Sequence, residues 1–176
     1  LRDEVLSIVN SYDNMFRKFN YLHLTETIPV GEEAPSASQR WHRDPEEKRM
    51  MKMFIYLNDV DEEAGPFTFV KRSQFSSPTY GNLFKQELPR GIYPPSGAVE
   101  KAVNTQDIVS ATGKAGTVIF CDTAGLHRGG YARSKSRFMF TAFYPSKLWN
   151  EPTLFSIDDS VRNATLSPAA RYALNV

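Results

Sequence analysis

The chain has little of what holds a secreted protein together or anchors one in a membrane. Its 176 residues include one cysteine, Cys121, so no intrachain disulfide can form and a four-cysteine zinc site is excluded. That count fits a reducing, cytoplasmic compartment. No stretch approaches the roughly 18 apolar residues a bilayer crossing needs, and the charged, amphipathic N-terminus lacks a signal-like apolar run, so a soluble chain without a membrane span is expected. Excess charge of either sign is also missing. With 21 basic residues against 20 acidic ones, the formal net charge is +1, which supplies no basic field for a phosphate backbone and argues against nucleic acid as a partner. Histidine is scarce, with three in the chain. The first residue is Leu1 rather than methionine, which fits a trimmed or fragmentary chain.

What is present reads as one globular domain over residues 1–176: 41% of residues are hydrophobic and 23% charged, and a chain of this size can remove roughly 70% of its unfolded surface from water. Val5, Ile8, Val9, Tyr12, Met15, Phe16 and Phe19 recur at helical spacing and predict a helix over 2–19. Tyr21 to Ile28 alternates like a half-buried strand, and 31–39 reads as a loop. Strands are expected at 50–57 and 66–70, paired as a hairpin, and at 107–109, 116–122 and 137–144. The segment from Ser73 to Gly97 is rich in proline and is read as an ordered excursion or lid, within a lid-like insertion over 73–105. Ser167-Pro168-Ala169-Ala170 opens a short closing helix. The fold class is therefore mainly β, a double-stranded β-helix or jelly roll with a helix at each end, although an open sandwich fits the same pattern.

The chemistry concentrates on a few residues. His42 and Asp44 are two apart, so an extended backbone points both to one face. His127 follows an apolar strand and supplies a second imidazole. Two imidazoles and one carboxylate on one side of a metal leave three positions open, an arrangement suited to non-haem Fe(II) that activates O2. Arg137 begins a strand that is apolar on both faces, where a guanidinium is either solvated at the rim or buried against an anion. Its planar fork would bind the far carboxylate of a small dicarboxylic acid whose near end chelates the metal.

These residues sit within Trp41-His42-Arg43-Asp44, Lys52 to Val60 with Gly65-Pro66-Phe67, and Gly116 to Phe120 followed by His127-Arg128-Gly129-Gly130 and Arg137. In that order, over about residues 39–145, the chain resembles the phytanoyl-CoA dioxygenase (PhyH-like) family of Fe(II)- and 2-oxoglutarate-dependent oxygenases. The resemblance implies iron ligands His42, Asp44 and His127, Arg137 as the anchor of 2-oxoglutarate, and Phe54 beside that cosubstrate. It also implies a small-molecule substrate. Its expected reaction is hydroxylation with release of succinate and CO2; the carboxylate of Asp44 stands where a halogenating relative carries a small residue. Two departures are visible. Lys71-Arg72-Ser73-Gln74 replaces the common Pro-Gly-Ser-His, and Arg137 lies ten residues after His127, whereas some members place the arginine one residue later. The segment before His42 is shorter than in typical members, as if N-terminal strands had been removed.

Blander readings stand beside these. His42 and Asp44 alone would pass for a surface ion pair near Arg40 and Arg43, and Trp41, Phe54 and Tyr56 for core aromatics. His23 reads as structural, Cys121 as a small buried hydrophobe, Asp122 as a turn cap, and Arg128 and Arg133 as solvated loop residues, Arg133 being the rival for the anchor role. Phe75, Tyr80, Phe84 and Tyr93 would give the excursion apolar contacts, and Lys71, Arg72, Lys85 and Arg90 anion contacts. Two other functions keep the same residues: a zinc or other divalent-metal hydrolase or isomerase, and a non-catalytic ligand-binding barrel.

Overall fold

Leu6 and Val9 recur on one face of the N-terminal helix α1 (Asp3–Asp13) and are fully buried, each contributing on the order of 2 kcal/mol through burial. The helix ends earlier than the apolar periodicity predicts. Asn14 takes a left-handed conformation (φ 52°) and its backbone N–H closes onto the carbonyl of Asn10, so Phe16 and Phe19 leave the helical register. In the computed structural model, residues 1–84, 93–162 and 164–176 are described.

Seven strands follow among the described residues: β1 (Tyr21–Thr27), β2 (Met51–Tyr56), β3 (Phe67–Val70), β4 (Ile108–Ala111), β5 (Val118–Cys121), β6 (His127–Arg128) and β7 (Arg137–Tyr144). They form a four-stranded sheet in the order β1-β7-β2-β5 and a three-stranded sheet in the order β4-β3-β6, and every pairing is antiparallel. The architecture is thus mainly β. The expected hairpin of 50–57 with 66–70 does not form, because β2 and β3 belong to different sheets. The connection carries the chain across the gap, where the Tyr56 hydroxyl accepts the Phe67 N–H at 3.0 Å and donates to the Ala111 carbonyl at 2.7 Å. Nor is β1 half-buried. Among the described residues it is an edge strand paired with β7 alone, none of its residues is buried, and Leu22 and Leu24 are exposed.

Alternation along β2 explains how the sheets are covered. Met51 and Met53 pack with Ala142 and Tyr144 of β7 against Leu6, Val9, Ala170 and Ala173, so α1 and the closing helix α4 (Pro168–Leu174) cover one face of the larger sheet. The Ser167 hydroxyl caps α4 by accepting the Ala170 N–H at 3.1 Å. Phe54 and Tyr56 point the other way, into a cluster with Phe67, Cys121 and Met139 between the two sheets. On the far face of the smaller sheet, Trp41, Val70 and Leu126 bury Tyr80, Val99 and Val103, so the described part of the excursion carries core residues and the short helix α2 (Ala98–Ala102). Another short helix, α3 (Asp159–Arg162), lies in the C-terminal segment. Lys85 and Arg90 lie outside the described residues.

Candidate metal centre

His42 and His127 are brought together by backbone pairing. The His42 N–H donates to the carbonyl of His127 at 2.9 Å and the His127 N–H returns to that of His42 at 3.0 Å, an isolated antiparallel bridge that extends the smaller sheet beyond β6. Directly opposed residues present side chains to the same face, and the two rings lie 4.2 Å apart by centroid. Asp44, two residues on, returns to that face and is fixed by its N–H to the Thr123 carbonyl at 2.9 Å. His127 is buried, His42 and Asp44 half-buried, and the three offer ligand atoms that all lie within 4.8 Å of one another.

The ring tautomers follow from the partners. Nδ1 of His42 donates to the Arg40 carbonyl at 2.8 Å and Nδ1 of His127 to the Gly125 carbonyl at 3.0 Å, since a carbonyl can only accept. In the neutral rings each Nε2 therefore carries a lone pair, and these face the Asp44 carboxylate at 3.6 Å each, His42 toward Oδ1 and His127 toward Oδ2. Burial pushes the His127 pKa down to about 4, against the opposing pull of Asp44, so that ring is neutral near pH 7. Burial would raise the Asp44 pKa, but His127 and the Lys52 ammonium, with Nζ 2.8 Å from Oδ2, hold it well below the usual carboxylate range. Two lone pairs and a carboxylate aimed at one another repel unless a cation lies between them; this donor set fits a divalent metal.

Arg137 is buried. Its Nη1 donates to the carbonyls of Gly65 and Gly129, the latter at 2.7 Å, and Nη2 to the Thr27 hydroxyl at 3.0 Å. Nε is buried without a partner among the described residues. Burial lowers its pKa, yet the guanidinium has no carboxylate against it among the described residues. Phe54 packs on Phe67 with ring centroids 4.5 Å apart, and Phe67 in turn lies 5.6 Å from the His127 ring. The loop after His127 is held close by Gly130, whose φ is +60° and where a Cβ would run into the Pro66 carbonyl oxygen.

The remaining candidates separate cleanly. Arg133 is exposed, donates to the Gly31 carbonyl at 3.0 Å and sits 3.6 Å from Glu32. Arg128 is not simply solvated, since it stacks over Trp41 at 4.5 Å and approaches Glu100, which also accepts the Trp41 Nε1–H at 2.6 Å. Asp122 accepts the N–H groups of Ala124 and Met50 and the Tyr12 hydroxyl, at 3.1, 3.2 and 2.7 Å, and so serves the turn rather than an imidazole. His23 stacks on Tyr21 at 4.1 Å. Burial, with the charges of Asp122 and Asp44, pushes the Cys121 thiol up to about 12, which removes it as a nucleophile.

Two residues of the site are not evident from the sequence. Arg43, between the two ligands, points to the opposite side, where its guanidinium donates to the carbonyls of Ser73, Ala124 (2.7 Å), Tyr80 (3.1 Å) and Leu83 (2.9 Å). It ties the excursion to the ligand segment. Lys52 stands on the inward face of β2 with Phe54 and Tyr56, and strand alternation could have flagged it. Tyr93, at the other end of the excursion, meets the His42 ring edge-on at 5.9 Å and lies under Arg40 at 4.5 Å.

A paired histidine bridge with a carboxylate, set between two antiparallel sheets, defines a candidate metalloenzyme. The chain belongs to the phytanoyl-CoA dioxygenase (PhyH) family, whose sequence model matches residues 6–139. Among solved structures it is similar to AviO1 from Streptomyces viridochromogenes Tue57 (18% identity, 86% of this chain and 61% of that one, TM-score 0.56). It is also similar to two proteins of nogalamycin biosynthesis. One is the non-heme alpha-ketoglutarate-dependent epimerase SnoN (17%, 81% and 54%, 0.56), and the other the carbocyclase SnoK (15%, 94% and 62%, 0.56). At these identities the likeness is one of fold, and the chain spans between 54% and 62% of the length of these three. No curated protein matches. Among the described residues no helix is long and apolar enough to cross a membrane.

Proposed function

We propose that this chain is an Fe(II)- and 2-oxoglutarate-dependent oxygenase that hydroxylates a small or medium organic molecule, releasing succinate and CO2. His42, Asp44 and His127 hold the iron, Arg137 binds the distal carboxylate of 2-oxoglutarate, and Phe54 lines the cosubstrate space. The observation that carries this reading is that both rings spend Nδ1 on backbone carbonyls and turn Nε2 toward the Asp44 carboxylate, at 3.6 Å each. Family membership and the complex of SnoN with Fe3+, alpha-ketoglutarate and nogalamycin RO support the cofactor assignment. The strand orders, with the His42–His127 bridge adding a further rung to the smaller sheet, support a double-stranded β-helix over residues 1–176 as one domain. Buried, unpaired Cys121 suits a reducing cytoplasm.

The residues divide the work. The backbone carbonyls of Arg40 and Gly125 fix the imidazole tautomers and so deliver lone pairs rather than protons to the cation. Burial keeps His127 neutral and free to ligate near pH 7. Arg137 has spent Nη1 on two carbonyls and one Nη2 hydrogen on Thr27. Its Nε–H has no partner among the described residues and is left for a carboxylate. Phe54, Phe67 and Met139 keep water from the space between the sheets. When bound, iron with 2-oxoglutarate and O2 supplies the oxidising power to replace a C–H hydrogen by hydroxyl.

The test is aerobic turnover with Fe(II) and 2-oxoglutarate. Succinate formation abolished by Asp44→Ala, with a product carrying one added oxygen atom when a substrate is found, is the expected result. Metal-dependent hydrolysis or isomerisation that survives Arg137→Ala would replace this reading with a metallohydrolase or isomerase, and absence of any 2-oxoglutarate turnover with a non-catalytic barrel.

A further inference from the structure

A buried ammonium is costly unless it is paired, and Lys52 is only 7% exposed. Its Nζ lies 2.8 Å from Asp44 Oδ2 and 3.4 Å from Glu46 Oε1, above the Phe143 ring at 5.3 Å. Two carboxylates within 3.4 Å supply the pairing a buried ammonium needs. The Asp44 carboxylate would otherwise be symmetric toward the histidines, since each oxygen is 3.6 Å from one Nε2. Lys52 breaks that symmetry by occupying one oxygen.

We infer that Lys52 is a positioning residue: by holding Oδ2 of Asp44 it commits this carboxylate to grip a cation through Oδ1 alone, leaving a coordination position free for the oxo-acid. The inference rests on the metal reading above. It has two consequences of opposite sign. A fixed positive charge on Oδ2 weakens the carboxylate as a donor and repels the cation, so its removal tightens metal binding. Releasing Oδ2 lets Asp44 chelate through both oxygens and fill the position 2-oxoglutarate needs, so its removal loosens cosubstrate binding. A residue that merely filled space or stabilised the fold would on removal loosen both.

The experiment uses Mn(II), which needs no exclusion of oxygen, with free metal read from its EPR signal and 2-oxoglutarate binding to the Mn(II)-loaded protein read by calorimetry. Lys52→Met, of similar length without the charge, should bind Mn(II) about tenfold more tightly and 2-oxoglutarate about tenfold more weakly, the lower end of what outer partners of metal ligands move. Glu46→Gln leaves Asp44 as the sole carboxylate on Lys52 and should weaken Mn(II) binding several-fold. With a Lys52→Met protein whose circular dichroism is unchanged, unaltered or weaker Mn(II) affinity overturns the inference. If that variant fails to fold, Glu46→Gln decides: unaltered or tighter Mn(II) binding overturns it equally. A parent protein that binds no Mn(II) overturns instead the metal reading on which the inference stands.

Discussion

His42 and His127 exchange both backbone hydrogen bonds, at 2.9 and 3.0 Å, and this one rung places two imidazoles from residues far apart in the chain 4.2 Å apart. The pairing is made by main chain, so it survives loss of either ring. His127→Ala should therefore keep the parent circular dichroism and lose metal affinity by more than about 100-fold, beyond the range that outer partners alone command. Calorimetric titration with Fe(II) under argon, or with Mn(II), measures it; affinity within a few-fold of the parent would remove His127 from the ligand set.

Arg43 exerts its effect away from the metal. Its guanidinium satisfies four carbonyls of residues 73, 80, 83 and 124, and its side chain also lies 4.9 Å from the Phe75 ring. Burial lowers its pKa to about 10, so it stays charged at neutral pH. Arg43→Met strands those carbonyls and should cost about 2–4 kcal/mol. Urea unfolding reads the loss, and amide exchange should quicken over residues 73–84 before it does so in β2 or β7. Equal exchange throughout would show that Arg43 does not hold the excursion.

The pH dependence of the metal-free protein follows from His127. Its folded pKa near 4 lies below the ordinary 6.5, so between those values the unfolded chain binds more protons and stability falls as pH falls. At pH 5 the loss is about 2 kcal/mol relative to pH 7. Below about pH 4 protonation of Asp44, whose pKa is depressed in the fold, removes more. Urea midpoints in the presence of a chelator should shift accordingly, and His127→Gln should flatten the segment between pH 6.5 and 4. A parent protein equally stable at pH 7 and 5 would contradict the burial of this ring.

Arg137→Ala separates the cosubstrate from the metal. Truncating a buried guanidinium that grips a carboxylate costs 2–5 kcal/mol of binding, so 2-oxoglutarate affinity should drop by about two orders of magnitude while Mn(II) affinity stays within a few-fold. Calorimetry on the metal-loaded variant measures both; an unchanged 2-oxoglutarate affinity would remove Arg137 as the anchor.

The site was legible where chemistry is rare. Three histidines and one His-X-Asp step left few ways to build a metal centre, and strand alternation put His42 and Asp44 on one face without any knowledge of the fold. Alternation should also have exposed Lys52 at the inward position before Phe54, but a lysine in an apolar strand reads as an edge residue until its carboxylate partners are seen. Arg43 was hidden because carbonyls, its partners, leave no trace in a sequence. Long-range pairing explains the other misses. The turn after Leu57 looks like a hairpin because acids and glycine favour one locally, yet the competition for β2 was won by β5 and β7. The helix over 2–19 was shortened by one left-handed asparagine, Asn14, within a periodic run. The two residues of β6 are too few to show a period at all, although they complete the rung that makes the site.

Anaerobic addition of 2-oxoglutarate to the Fe(II)-loaded protein probes that convergence in one step. The account predicts a visible charge-transfer absorption, the signature of an oxo-acid chelated to ferrous iron, that saturates with 2-oxoglutarate and is missing from His127→Ala. Iron that binds tightly while no such absorption develops at any 2-oxoglutarate concentration would contradict it.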